Sequence, residues 1–252
     1  LPYNEKMFGG NLNILGTYWM EKLPNVSYEE TKRSCMEKRA YGKQPGHAQF
    51  YYPKKYGFGE LWRRMQEAVE ERFVPDSAVE KLDAAAHRVY CENGTVYEGE
   101  KIITTVPWAV WEEISGMPEE LWQDVKGLKH SSTQIEYVPE KIDTTAQWIY
   151  YPQRDISYHR ILVRHNFCPG ARGYWTETNK ERVEPDQGRF RYMNEYAYPL
   201  NTTDKPRIMT RLLNWAQSME IYGLGRWGEH EHYNSDLVVE LAIKRASGLM
   251  GI

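Results

Sequence analysis

Apolar positions along the chain change period several times, and each change marks an element. Ser27-Tyr28-Glu29-Glu30 forms a capping box, so a helix is expected from there to about Arg39. Residues 40–50 carry Gly, Pro and Gln without periodicity and read as a loop. Phe50 to Phe73 reads as a short aromatic strand, a Gly57-x-Gly59 turn, and a helix with Leu61, Trp62, Met65, Val69 and Phe73 on one face. Residues 79–106 read as a small meander. His87–Cys91 and Thr95–Tyr97 are its extended arms, Asn93-Gly94 its type I′ turn, and Lys101–Val106 a buried strand ended by Pro107.

Glu119–Val125 is a short helix following Met117-Pro118. Alternation then dominates, over Thr133–Val138, Gln147–Tyr151, His159–Phe167 and Phe190–Tyr198. In the third of these, Ile161, Val163, His165 and Phe167 alternate with Arg160, Leu162, Arg164 and Asn166, which puts Arg160 and Arg164 on one face. Short connections between such strands imply an antiparallel sheet. The helical period returns over Lys205–Tyr222, with Asp204 placed to cap it and Pro206 in its first turn. Its stripe is Ile208, Leu212, Trp215, Ala216 and Met219. A last helix carries Leu237, Val238, Leu241, Ala242 and Arg245. The fold class expected is α/β with α+β character.

Composition narrows the function. The 252 residues carry a net charge of −3 and a pI near 6.2, with both signs mixed along the chain. That argues against nucleic acid or a membrane surface as partner. No apolar run approaches the roughly 18 residues a membrane span needs. The three cysteines, Cys35, Cys91 and Cys168, suit neither a disulfide scaffold nor a zinc site, and a cytoplasmic location is expected. Asn25, Asn93 and Asn201 head Asn-x-Ser/Thr triplets and read as turns. The 19 tyrosines and 9 tryptophans offer apolar area with polar tips, which suits a sugar or nucleotide pocket as well as an aromatic core.

The densest chemistry lies in Ile221–Asp236, IYGLGRWGEHEHYNSD. Gly223-x-Gly225-x-x-Gly228 matches the dinucleotide fingerprint in letters, but a helix is expected before it and no second strand with an acidic residue follows. A glycine turn carrying Arg226 into a helix can still hold an anion. His230 and His232 lack a third ligand at recognised spacing, so no metal is expected. No Ser/His/Asp or Cys/His triad and no acid–base carboxylate pair stands out, which leaves the catalytic residue open. What stands out is anion-handling, by Arg160, Arg226, Tyr150 and Tyr198.

Four stretches carry a resemblance: PYNEKMFGGNLNILGTYWMEKLPNVS, YYPKKYGFGELW, WIYYPQRDISYHRILVRHNFCP with EYAYPLNT, and GRWGEHEHYNSD. They resemble flavin amine oxidase-type proteins, above all the UDP-galactopyranose mutase-like branch. KIITTVP is similar to that family's strand returning to the flavin domain. The resemblance spans nearly the whole chain but only the family's later half, so the FAD-binding βαβ unit is expected upstream of Leu1. It implies four segments: 1–49 as the helical part of a substrate domain, 50–115 as a returning FAD-domain segment, 116–203 as the substrate-domain sheet, and 204–252 as FAD-domain helices. Two intertwined domains are expected.

The resemblance further implies FAD as cofactor, met by Gly57, Gly59, Gly228, Asn234 and Asp236, and a UDP-sugar as substrate, met by Tyr150, Arg160, Tyr198, Arg226 and Lys22. The implied reaction is a ring contraction through reduced flavin. The sequence departs from the family at Lys22, where an Arg-Val step is usual, at Tyr56 for Gly, and at His232 for Tyr. Unpaired strand edges of such a piece would let copies associate. Two other readings remain open: an FAD-dependent amine or protoporphyrinogen oxidase-like enzyme using an aromatic cage, and a non-catalytic carbohydrate-binding module.

Overall fold

The computed structural model describes residues 2–17, 27–39, 50–186 and 188–251. Lys22 and the loop expected at 40–49 lie outside these described residues. Among the described residues, sheets of four, five and two strands combine with helices in a mixed α/β architecture, as the sequence indicates.

The first half opens with helix α1 (Pro2–Phe8) and helix α2 (Tyr28–Glu37). Ser27 caps α2 by accepting from the Glu30 N–H at 3.4 Å, as the capping box requires. Helix α3 (Phe58–Glu67) stops before Val69 and Phe73, which the sequence places on it. Its apolar residues Leu61, Trp62 and Met65 are exposed rather than buried. Residues 50–57 form no strand. They are held by ring contacts instead, Phe50 on Trp148 at 5.4 Å and Tyr52 on Phe167 at 5.1 Å.

Strands β1 (Val79–Asp83), β2 (Arg88–Cys91) and β3 (Val96–Glu98) form the meander. Gly94 takes a left-handed φ of 82°, while Asn93 does not. The turn is therefore not the type I′ expected, because that type needs positive φ at both residues. The Asn93 side chain instead accepts from the Thr95 N–H at 2.9 Å and donates to the Asp76 carbonyl at 2.9 Å. Strand β4 (Ile102–Thr104) leaves the meander, and strand β5 (Glu113–Ser115) takes the place beside β1, in parallel. Under this sheet Trp108, Trp111 and Leu82 pack with Leu121 and Val125 of α4 (Glu119–Lys126) and with Ile208, Leu212 and Ala216 of α6 (Lys205–Ser218). The stripe read from the sequence of α6 is the face that this core buries. Asp204 stands at the helix start but its side chain makes no capping bond.

The second sheet is wholly antiparallel, in the order β10-β6-β9-β8-β7. Its strands are β6 (His130–Val138), β7 (Trp148–Tyr150), β8 (Arg160–Val163), β9 (Tyr174–Asn179) and β10 (Arg191–Pro199). Four of them follow the alternation in the sequence. The central one, β9, was not expected. Strand β8 is shorter than expected and turns at Val163 into the single helical turn α5 (Arg164–Phe167). Arg164 nevertheless stays on the Arg160 face, over the rings of Tyr137 at 5.1 Å and Trp175 at 5.3 Å.

After α6 the chain forms strand β11 (Ile221–Gly223), parallel to β4, where helix was expected to continue to Tyr222. A four-residue turn of helix, α7 (Gly225–Gly228), and the long helix α8 (Ser235–Met250) end the described chain. Leu237, Val239 and Ile243 of α8 are exposed. No helix among the described residues is long and apolar enough to cross a membrane.

Candidate functional site

Pairing in the second sheet decides which side chains meet. Tyr150 lies opposite Arg160, and Arg160 opposite Glu177, so all three stand on one face. Glu177 accepts from Arg160 Nε at 2.7 Å and from Nη2 at 2.6 Å. The same Nη2 donates to the Tyr198 hydroxyl at 3.2 Å. Behind the pair, fully buried His159 brings Nε2 to 3.6 Å from Glu177 Oε2.

Helix α1 closes this corner. Lys6, also fully buried, donates from Nζ to the carbonyls of Tyr151 at 2.7 Å and Gln153 at 2.9 Å. Asn179 Nδ2 donates to the Met7 carbonyl at 3.1 Å. Tyr3 is thereby held edge-on to Tyr150 at 5.0 Å and to His159 at 5.9 Å. Burial pulls the Lys6 ammonium below its ordinary value and pushes the Tyr3 phenol well above its own.

Charge is distributed unevenly over the two arginines. Burial works against both members of the Arg160–Glu177 pair, yet each stabilises the other. The Arg160 guanidinium therefore lies above its usual value, and the Glu177 carboxyl, helped by His159, lies below the usual carboxylate range. Arg226 has no such partner. Its Nη1 donates to the Ala197 carbonyl at 3.0 Å, and Nη2 and Nε donate to the Tyr233 carbonyl at 2.7 and 3.3 Å. Among the described residues no carboxylate forms an ion pair with it, and burial pulls its pKa down. The guanidinium lies 5.6 Å from the Tyr198 ring centre, and His232 stacks on the same tyrosine at 4.9 Å.

The structure thus brings together Arg160, Tyr198 and Arg226, with Tyr150 joined to them through Tyr3 and the β7–β8 register. Three neighbours escaped the sequence reading: Glu177, His159 and Tyr3. The signal for Glu177 was present. Tyr174-Trp175-Thr176-Glu177-Thr178-Asn179 alternates and is rich in strand-forming residues.

The glycines divide by role. Gly57 has φ +75° and ψ −176°, a region essentially reserved for glycine, and caps α3. Tyr56 before it also has a left-handed φ, 64°, at the position where the resembled family has glycine. Gly57 and Gly59 open on a cavity of about 460 Å³ whose walls include Trp175, Leu162 and Phe167. A flat aromatic ring fits such walls. Gly228, by contrast, is consumed by packing. A Cβ there would run into the Thr104 carbonyl, one at Gly223 would run into Gly228, and the Gly228 carbonyl accepts from Trp108 Nε1 at 2.8 Å. This close approach of β11, α7 and β4 explains the glycine spacing without a dinucleotide. Asn234 is the N-cap residue of α8, and both it and Asp236 are exposed. No residue of the Arg226 stretch lines the cavity at Gly57.

His230 and His232 do not lie on a strand as a pair. His230 has φ 50° and turns into the protein, where Nε2 donates to the Lys129 carbonyl at 3.2 Å.

An antiparallel five-stranded sheet set against helices and a returning parallel strand pair is a fold shared with solved structures. Among solved structures, reduced UDP-galactopyranose mutase is similar to this chain with a TM-score of 0.85 and 20% identity, over 99% of this chain and 63% of that one. The chain therefore spans less than two thirds of that mutase, and identity at this level speaks for the fold. A putative protoporphyrinogen oxidase from Exiguobacterium sp. 255-15 overlaps more weakly, with a TM-score of 0.47 and 12% identity over 68% of this chain and 46% of that one. No family model matches the sequence.

Proposed function

We propose that this chain is the substrate-binding part of an FAD-dependent enzyme acting on a nucleotide sugar, by a mutase-like ring contraction. The observation that carries the reading is the Arg226 guanidinium, mostly buried, held by carbonyls, and without an ion-paired carboxylate among the described residues. A cation in that state favours an anionic ligand. Beside it Arg160 contributes donors whose charge Glu177 already offsets. The pair suits one diphosphate better than two separate anions. Tyr198 between them and Tyr150 at the rim add hydroxyls that orient it. That arrangement disfavours an amine substrate, whose cation Arg226 would repel.

FAD fits the cavity at Gly57 and Gly59 through its ring end, and Asn234 and Asp236 at the start of α8 are free to meet it. When bound, it would supply the electron pair that activates the sugar's anomeric carbon. The protein's own part is to hold the diphosphate and keep water from the site. The reading carries with it a cytoplasmic location, no nucleic acid or membrane partner, and association of copies through strand edges. Arg226 and Arg160 take the leading roles in binding. Lys22, outside the described residues, would add a point charge.

The test uses the intact protein with its flavin reduced, supplied with UDP-galactopyranose. Furanose product is expected, with UDP affinity falling at least tenfold in Arg226→Ala and less in Arg160→Ala. Bound flavin without UDP-sugar binding overturns the reading.

A further inference from the structure

The cavity that Gly57 and Gly59 open on has one charged wall. Its other sides are aromatic or apolar, built largely by Tyr52, Phe58, Leu162, Phe167 and Trp175. Arg164 is the one charged side chain among the described residues that line it. It reaches that place because β8 ends at Val163 and the chain turns there into α5, which Arg164 begins.

Two rings and one carbonyl hold the guanidinium. It lies 5.1 Å from the Tyr137 ring centre and 5.3 Å from that of Trp175, and Nη1 donates to the Arg172 carbonyl at 2.9 Å. These partners orient the charge without cancelling it, since neither a ring nor a carbonyl carries a net negative charge. Arg160, four residues earlier on the same face, has its charge offset by Glu177. Among the described residues no carboxylate forms an ion pair with Arg164. Neither Arg160 nor Arg226 lines this cavity, so the charge of Arg164 acts at a different place from the anion site.

A half-buried, uncancelled cation in a cavity with aromatic walls favours a ligand that is flat and negatively charged. The oxidised flavin ring is flat but neutral. Reduction adds two electrons and one proton, which leaves one negative charge spread over the pyrimidine end of the ring system. A nearby cation therefore separates the two forms, and charge placed near the ring is one of the means by which a protein tunes such a cofactor.

We propose that Arg164 makes this cavity hold reduced flavin more tightly than oxidised flavin. The proposal rests on the FAD reading above. It gives Arg164 a task distinct from the diphosphate binding assigned to Arg226 and Arg160, namely keeping the cofactor in the form that the proposed ring contraction uses. A unit charge a few ångströms from the ring, at a half-exposed position, shifts such an equilibrium about tenfold.

The test is a dye-coupled reductive titration of the intact, FAD-loaded protein, with dithionite as the electron donor. Arg164→Gln keeps a donor for the Arg172 carbonyl and removes the charge. Its midpoint potential is expected to fall by about 30 mV, which is a tenfold change for a two-electron couple. Arg164→Met gives a second measure if Arg164→Gln does not fold, and Arg164→Lys should restore most of the native potential. A role limited to packing on Tyr137 and Trp175 would weaken both flavin forms alike, lowering flavin affinity and leaving the potential in place. Bound flavin with an unchanged potential in the uncharged variants overturns this proposal alone, as does a potential lowered equally in Arg164→Lys. An intact protein that binds no flavin overturns it together with the FAD reading.

Discussion

Removing the Glu177 carboxylate should move stability and anion affinity in opposite directions. The carboxylate is nearly buried and accepts two hydrogen bonds from Arg160, at 2.7 and 2.6 Å. Glu177→Leu leaves that guanidinium with the Tyr198 hydroxyl at 3.2 Å as its remaining side-chain partner. Stranding one member of a buried pair costs about 3–5 kcal/mol, a large share of the roughly 5–15 kcal/mol that holds a domain folded. Glu177→Gln keeps the shape and one acceptor and should cost about half as much. Replacing both residues, Arg160→Met with Glu177→Leu, should recover most of the loss, because no charge is then stranded. Formal charge over Arg160, Arg226 and Glu177 is +1 in the native protein, from two cations less one anion, and rises to +2 in Glu177→Gln. An added unit charge a few ångströms from a phosphate contributes on the order of 1–3 kcal/mol at an effective dielectric of about 20 or more, so pyrophosphate should bind about tenfold tighter or better. Urea unfolding of the four proteins and pyrophosphate titration of native and Glu177→Gln check both halves. A double variant as unstable as Glu177→Leu, or weaker pyrophosphate binding in Glu177→Gln, would refute the reasoning.

The remaining predictions concern pH and the glycines. Burial, with Lys205 nearby, pushes His230 down from 6.5 to about 4, so the folded state resists its protonation. The stability this represents is intact above pH 6.5 and drains as pH falls toward 4, by roughly 3 kcal/mol in all; in urea unfolding between pH 7 and pH 4 (about the span from neutral to the shifted value), His230→Gln should lose that much less. Gly228→Ala sets a methyl against the Thr104 backbone carbonyl and should destabilise by about 2–3 kcal/mol or more. Gly59→Ala lies inside α3, meets nothing within 4 Å, and should stabilise by about 0.5–1 kcal/mol; if Gly59 lies close against the flavin, the same change lowers flavin affinity while melting temperature rises.

How far the sequence carries depends on the range of the interaction. The α2 cap, the α6 stripe and the alternation of β6 and β10 are written within a few residues, and each element stands near where its pattern puts it. Strand β9 had the same kind of signal, but it follows α5 and a turn, and its last four residues, Thr176, Glu177, Thr178 and Asn179, are all polar though buried, so no apolar alternation marks it. Strand β11 has three residues, too few for any period to show. Its existence rests on Gly223 and Gly228 letting two backbones touch, which is a property of the packed state.

The same limit governs the site. Arg160 and Tyr150 are legible as residues that could hold an anion, but nothing in their neighbourhood of sequence says which arginine keeps its charge. That depends on Glu177 arriving on the adjacent strand beside Arg160, and on Arg226 receiving carbonyls from Ala197 and Tyr233 instead of a carboxylate. Lys6 makes the point sharply: its partners lie 145 and 147 residues away, and without them it reads as an ordinary surface lysine of a short helix. A residue's type proposes the chemistry it can do, and the partner delivered by the fold decides whether that chemistry is spent on the protein or left for a ligand. By that criterion Arg226, held by carbonyls and by no carboxylate among the described residues, is the group left for a ligand.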